Sequence, residues 1–70
     1  MTPEIIDAAI IEAERFIERA REARAALNWV EFKNVSGGFY ENSDTRRSAA
    51  MKRASMDLTR ALVAIRKPDA

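Results

Sequence analysis

The sequence contains no cysteine and no histidine, and it has only two glycines and two prolines among its 70 residues. The absence of cysteine excludes disulfides and zinc–thiolate sites, and the absence of histidine removes the commonest metal ligand and general base. A single core of this size supplies only roughly 3–5 kcal/mol, which small folds usually supplement with a disulfide, a metal or a partner subunit. We therefore expect one domain, residues 1–70, that needs no cofactor and is stabilised by association.

Long apolar runs are also lacking. No stretch approaches the ~18 apolar residues of a membrane span, and the first residues, Met1-Thr2-Pro3-Glu4, lack the basic segment of a signal peptide. The sequence thus predicts a cytoplasmic protein with no membrane partner.

The first half of the chain is typical of a long helix. Thr2 is a good N-cap and Pro3 suits the first helical position, after which neither glycine nor proline occurs before residue 37. Ala, Glu, Arg and Ile, which favour helices, dominate as far as Val30. This pattern predicts a first helix over about 3–31.

A second helix is predicted over about 44–66. Asn42, Ser43 and Asp44 are all good caps at its start, and Pro68 would stop it soon after Arg66.

The predicted loop, about 32–43, contains the glycine pair Gly37-Gly38, which must reverse the chain. We expect an irregular aromatic loop, although apolar and polar residues partly alternate from Trp29 to Val35, so a short β-hairpin at the tip is the alternative. The predicted fold is all-α: a two-helix antiparallel hairpin with a Gly-Gly aromatic loop.

Heptad positions predict how the helices meet. Small and large apolar residues mix along both seams, which lets helix backbones approach closely. The seam residues are Ile6, Ala9, Ala13, Phe16, Ala20, Ala23, Leu27 and Val30 on the first helix, and Arg47, Met51, Ala54, Leu58, Ala61 and Ile65 on the second.

Further apolar residues lie beside these seams, where a second helix cannot cover them. On the second helix these are Met56, Leu62 and Val63, and on the first, where we predict self-association, they are Ile5, Ile10, Ile11 and Ile17. The simplest closed solution is a homodimer of hairpins, a coiled-coil-like four-helix bundle. This is similar in architecture to Rop-type plasmid regulators, but no Rop motif is present, so the similarity implies no function.

Nothing in the sequence favours catalysis. The serines and threonines lie in no nucleophile motif. Glu14, Glu18 and Glu22 share one face of the first helix, where they are expected to form a solvated acidic face or to dock the arginines of the second helix. We expect no catalytic residue, no metal site and no small-molecule substrate.

The second helix carries a basic ridge. Residues 1–40 contain seven acids and five bases, whereas residues 41–70 contain four acids and seven bases. Such a ridge can follow a phosphate backbone, or it can pair with the acidic face of the first helix, within the hairpin or across a dimer. Its residues, the candidate nucleic-acid site, are Arg46, Lys52, Arg53, Arg60, Arg66 and Lys67.

Aromatic residues are concentrated at the closed end of the hairpin, at Trp29, Phe32, Phe39 and Tyr40. They can form a hydrophobic plug that seals the helix pair, or they can recognise a partner. The sequence thus favours a non-enzymatic interaction, regulatory or accessory module, of the size of small phage, plasmid or operon proteins, with nucleic-acid binding as the alternative. For a protein partner we predict contacts through Trp29, Phe39, Tyr40, Arg46, Arg47 and Arg53.

Overall fold

The computed structural model describes residues 1–67 and contains two helices and two strands. In chain order these are α1 (Pro3–Ala25), β1 (Leu27–Glu31), β2 (Gly38–Asn42) and α2 (Thr45–Arg66). The two helices pack against each other, and β1 and β2 form an antiparallel sheet between them in sequence. The predicted helical hairpin is therefore present. Pro68, expected to end α2, lies outside the described residues.

The first helix starts as expected but ends early. The Thr2 hydroxyl accepts a hydrogen bond from the Ile5 N–H at 3.4 Å, and Pro3 occupies the first turn. The prediction that this helix continues to about residue 31 was wrong, because it ends at Ala25 and Leu27 begins a strand. Tryptophan, valine and phenylalanine follow, and these side chains favour a strand once a partner strand is available.

The predicted irregular loop was also wrong, since the tip forms the alternative, a β-hairpin. Trp29 pairs with Tyr40 and Val30 with Phe39. Gly37 has φ +106°, a conformation that favours glycine, and the Phe32 N–H donates to its carbonyl at 3.0 Å. Cross-strand aromatic and β-branched pairs stabilise such a ribbon, so the residues that suggested a longer helical seam pair with β2 instead.

Ser43 and Asp44 connect the β-hairpin to the helices. The Ser43 N–H and hydroxyl both donate to the Ala26 carbonyl at 2.9 Å. The Asp44 carboxylate caps α2 by accepting from the Arg46 N–H at 3.0 Å. These contacts fix where the β-hairpin leaves the helix pair.

The core of the single chain is thin. Its buried residues are four alanines, 3–7% exposed, and no described large side chain is fully buried. The chain measures 62 × 19 × 14 Å with a radius of gyration of 17.3 Å, against about 11 Å for a compact domain of this length. Since α1 is only about 35 Å long, the β-hairpin extends well beyond the helices. The buried alanines are Ala9, Ala23, Ala26 and Ala54.

Candidate interaction surfaces

An apolar strip runs along α1 beside its contact with α2. Its members are spaced alternately by four and three residues, as in a coiled-coil seam. Its three isoleucines are 43–49% exposed and its two alanines are half-buried. We call this set the isoleucine strip: Ile6, Ile10, Ala13, Ile17 and Ala20.

Two predicted self-association residues, Ile10 and Ile17, lie on the isoleucine strip. Ile5 is half-buried and lies one helical turn before buried Ala9, so it faces α2, whereas Ile6, assigned to the seam, is exposed. Ile11 is 62% exposed. It is seven residues from both Glu4 and Glu18 and therefore lies on the acidic face of α1.

The aromatic residues do not form a buried plug. Trp29, Phe32, Phe39 and Tyr40 are 48–67% exposed on the extended β-hairpin. Trp29 and Tyr40 meet edge to face with ring centroids 5.1 Å apart, and Phe32 and Phe39 are 6.1 Å apart. Because Phe39 and Tyr40 are neighbours in β2, their side chains point to opposite faces of the ribbon, and so do the two ring pairs. The β-hairpin thus presents aromatic surface on both faces.

The basic ridge of α2 is not neutralised by α1. The three ion pairs found within residues 2–67 each join side chains three residues apart in sequence. They are Glu12–Arg15 at 3.8 Å, Arg19–Glu22 at 3.3 Å and Asp44–Arg47 at 3.4 Å. Arg46, Arg53 and Arg60 are exposed and pair with no described acid, so pairing between the halves within one chain, one of the two expected forms, does not occur there.

Arg15 and Arg19 were missed by the sequence analysis. They line a groove between the helices together with Arg46 and Arg53 of α2. Their spacing of four residues shows that they share one face of α1, but the acidic residues around them made the helix appear mainly acidic. Arg46 and Arg53 therefore belong both to the basic ridge and to this groove.

Within residues 1–67, no group of three or more acidic side chains is placed to hold a metal ion, and neither helix has the continuous apolar length of a membrane span. Comparison with protein-family models, with curated proteins and with solved structures finds no match to this chain. We therefore infer function from its surfaces.

Proposed function

We propose that the chain is a non-enzymatic interaction module that dimerises through the isoleucine strip and presents its β-hairpin to a macromolecular partner. The observation that carries the proposal is that the buried residues of the described chain are all alanines, while a regular strip of isoleucines beside the helix contact is exposed. Burying the exposed half of each isoleucine contributes about 1 kcal/mol, half the value of a fully buried side chain. A second copy supplies that burial.

The amount of exposed surface supports the same proposal. The chain exposes 5922 Å², whereas a compact monomer of this mass exposes roughly 4,400 Å². The excess, about 1,500 Å², is more than the ~800 Å² that each partner contributes to an interface of standard size. An interface of standard size would bury about half of this excess.

The side of α2 next to the isoleucine strip is suited to burial. Ser55 follows Arg53 by two residues, about 200° around the helix, so it faces away from the arginine groove, as Ile17 does relative to Arg15. The Ser55 hydroxyl donates to the Lys52 carbonyl at 2.6 Å. Because its donor is satisfied within its own helix, a partner's isoleucine can cover it without leaving an unpaired donor.

The β-hairpin and the arginines beside it are the proposed partner surface. Trp29, Phe39 and Tyr40 are exposed, and Arg46 and Arg47 lie in the first turn of the adjoining helix α2. Tryptophan, tyrosine and arginine are the residues enriched where partners bind most tightly.

Matched isoleucine substitutions test the dimer. Ile17→Glu places a carboxylate in the isoleucine strip, where it has no partner, and should raise the dimer dissociation constant at least a hundredfold. Ile11→Glu makes the same change on the acidic face and should leave dimerisation unchanged. Sedimentation equilibrium measures both. Equal dissociation constants for the two variants would refute the proposed interface.

A second candidate function, nucleic-acid binding by the basic ridge, is favoured by Arg46, Arg53 and Arg60, which pair with no acid among residues 1–67. It predicts binding that weakens steeply with salt, because bound phosphates release counterions. Charge reversal at Arg53 and Arg60 should abolish that binding, whereas Trp29→Ala or Tyr40→Ala should mainly weaken binding to a protein partner. Salt-independent binding that survives both reversals would exclude the ridge.

A further inference from the structure

A groove of about 490 Å³ between α1 and α2 is lined by four arginines. Arg15 and Arg19 come from α1, and Arg46 and Arg53 come from α2. Alanines contribute most of the remaining lining, Ala49, Ala50 and Ala54. Because alanine is short, a ligand can approach the helix backbones closely between the guanidinium groups.

The charges of this arginine groove are unbalanced. Asp57 is the only acid among its described lining residues, so these carry a net charge of +3. Arg15 and Arg19 contact Glu12 and Glu22 beside the groove, but Arg46 and Arg53 pair with no acid among the described residues. Guanidinium groups bind phosphate in a planar, two-point arrangement, so the groove is suited to a polymer that carries a phosphate group at each unit.

The shape of the groove favours a single strand over a duplex. It runs along the helices, with Arg46 and Arg53 about 10 Å apart along the α2 axis, and it is a cleft between two packed helices rather than a protruding element that could enter a duplex groove. Its Arg46 end adjoins the β-hairpin, where Trp29 and Tyr40 are exposed. A cationic groove next to exposed aromatic rings is the combination by which proteins hold single-stranded nucleic acids.

The groove also remains open in the proposed dimer. Ile17 lies two residues after Arg15, about 200° around α1. The isoleucine strip and the arginine groove are therefore on opposite sides of the helix pair, and a dimer formed through the strip carries one groove on each outer surface.

We propose that the arginine groove binds the phosphate backbone of a single-stranded nucleic acid whose bases stack on the aromatic side chains of the β-hairpin. The proposal shares its ligand class with the second candidate function above, but its set of residues overlaps the ridge only at Arg46 and Arg53. Arg15 and Arg19 belong to the groove alone, and Lys52 and Arg66 belong to the ridge alone, so the two sites can be tested separately.

Fluorescence anisotropy with a labelled 12-nucleotide single strand, as DNA and as RNA, tests the proposal on the full chain. The double variant Arg15→Gln/Arg19→Gln, which changes only groove residues, should weaken binding at least tenfold and reduce the slope of log affinity against log salt by about 1.4. The control Lys52→Gln/Arg66→Gln removes the same charge from α2 outside the groove and should change affinity less than threefold. Far-UV circular dichroism verifies that both variants fold.

A second comparison distinguishes the contribution of the aromatic rings to binding from that of the arginines. Tyr40→Leu should weaken binding of the single strand about fivefold or more, as expected for the loss of one stacked base, and should leave binding of inorganic polyphosphate unchanged. Binding of the wild type should also quench the fluorescence of Trp29, the only tryptophan in the chain.

Several results would overturn the proposal. If both double variants lose affinity equally, the ligand follows the ridge or the overall charge rather than the groove. If polyglutamate of matched charge binds as well as the single strand, the groove accepts acidic protein segments, including the acidic face of another copy. If neither the DNA nor the RNA single strand binds at 50 mM salt, the proposed nucleic-acid site is refuted, and the dimer proposal is unaffected.

Discussion

Gly38→Ala should open the β-hairpin while leaving the helices in place. Gly38 lies in β2 opposite Glu31. A Cβ atom at this position would collide with the Val30 carbonyl oxygen and lie 2.7 Å from Cζ2 of Trp29. Neither neighbour can move without disturbing the ladder, because one is backbone and the other is the ring that pairs with Tyr40.

The expected effect follows from the size of this clash and the weakness of the ribbon. Overpacking of this kind costs about 1–3 kcal/mol, and each 1.4 kcal/mol changes an equilibrium constant tenfold. A two-stranded hairpin with little other support is only marginally stable in water. Most molecules of the wild type should therefore have β1 and β2 paired, whereas in most molecules of the variant the two strands should be separated. The contact between α1 and α2 does not involve Gly38, and helix content should persist.

Near-UV circular dichroism reports on the aromatic pair of the β-hairpin, and far-UV circular dichroism reports on the helix content. The Trp29–Tyr40 edge-to-face pair should give a near-UV signal that Gly38→Ala removes, while the ellipticity at 222 nm is retained. Ser36→Ala, an exposed change in the neighbouring loop, should alter neither. An unchanged aromatic signal in Gly38→Ala would show that the close approach of the two strands at Gly38 is not required.

Three further substitutions and one control test the helix contact and the junction by urea unfolding at a fixed protein concentration. Ala54→Leu should lower the free energy of unfolding by about 1–3 kcal/mol because Ala54 is buried between the helices. Its control, Ala49→Leu, is at an exposed position and should change that free energy by less than ~0.5 kcal/mol. Equal effects of the two changes would contradict the close helix contact. Asp44→Ala should cost about 1 kcal/mol through loss of the α2 cap, and a stability equal to wild type would show that the cap is not needed. Ser43→Ala should cost about 1 kcal/mol by removing its hydroxyl from the Ala26 carbonyl, and no loss would mean that the Ser43 N–H alone is sufficient.

The two helices could be predicted because their signals are local. Thr2 and Asp44 act as the caps that their side chains favour, and α2 ends at Arg66. Capping groups and helix-favouring residues act within a few positions of each other, so they need no knowledge of the rest of the fold.

The end of α1 could not be predicted in this way. Leu27 and Val30 continue the heptad spacing of the helix, and only pairing with β2 makes them strand residues. Helix and strand patterns overlap in such short apolar runs, and the long-range pairing decides between them.

The sequence also could not predict fully which residues of α1 face α2, because this too depends on long-range packing. Ile5 and Ile6 are adjacent in sequence, and which of them faces α2 depends on how the helix is rotated against its partner. The arginine groove also depends on that rotation, because it brings Arg15 and Arg19 next to Arg46 and Arg53. The spacing within α1 shows that Arg15 and Arg19 share a face, but it does not show that this face meets the arginines of α2.

The solution mass of the purified protein, measured by light scattering at low and at high salt, tests the central claim most directly. An interface formed by the isoleucine strip should resist salt, so we predict twice the chain mass of 7.9 kDa under both conditions. A well-folded species of 7.9 kDa at both salt concentrations would contradict the dimer and leave the isoleucine strip of α1 without its proposed partner.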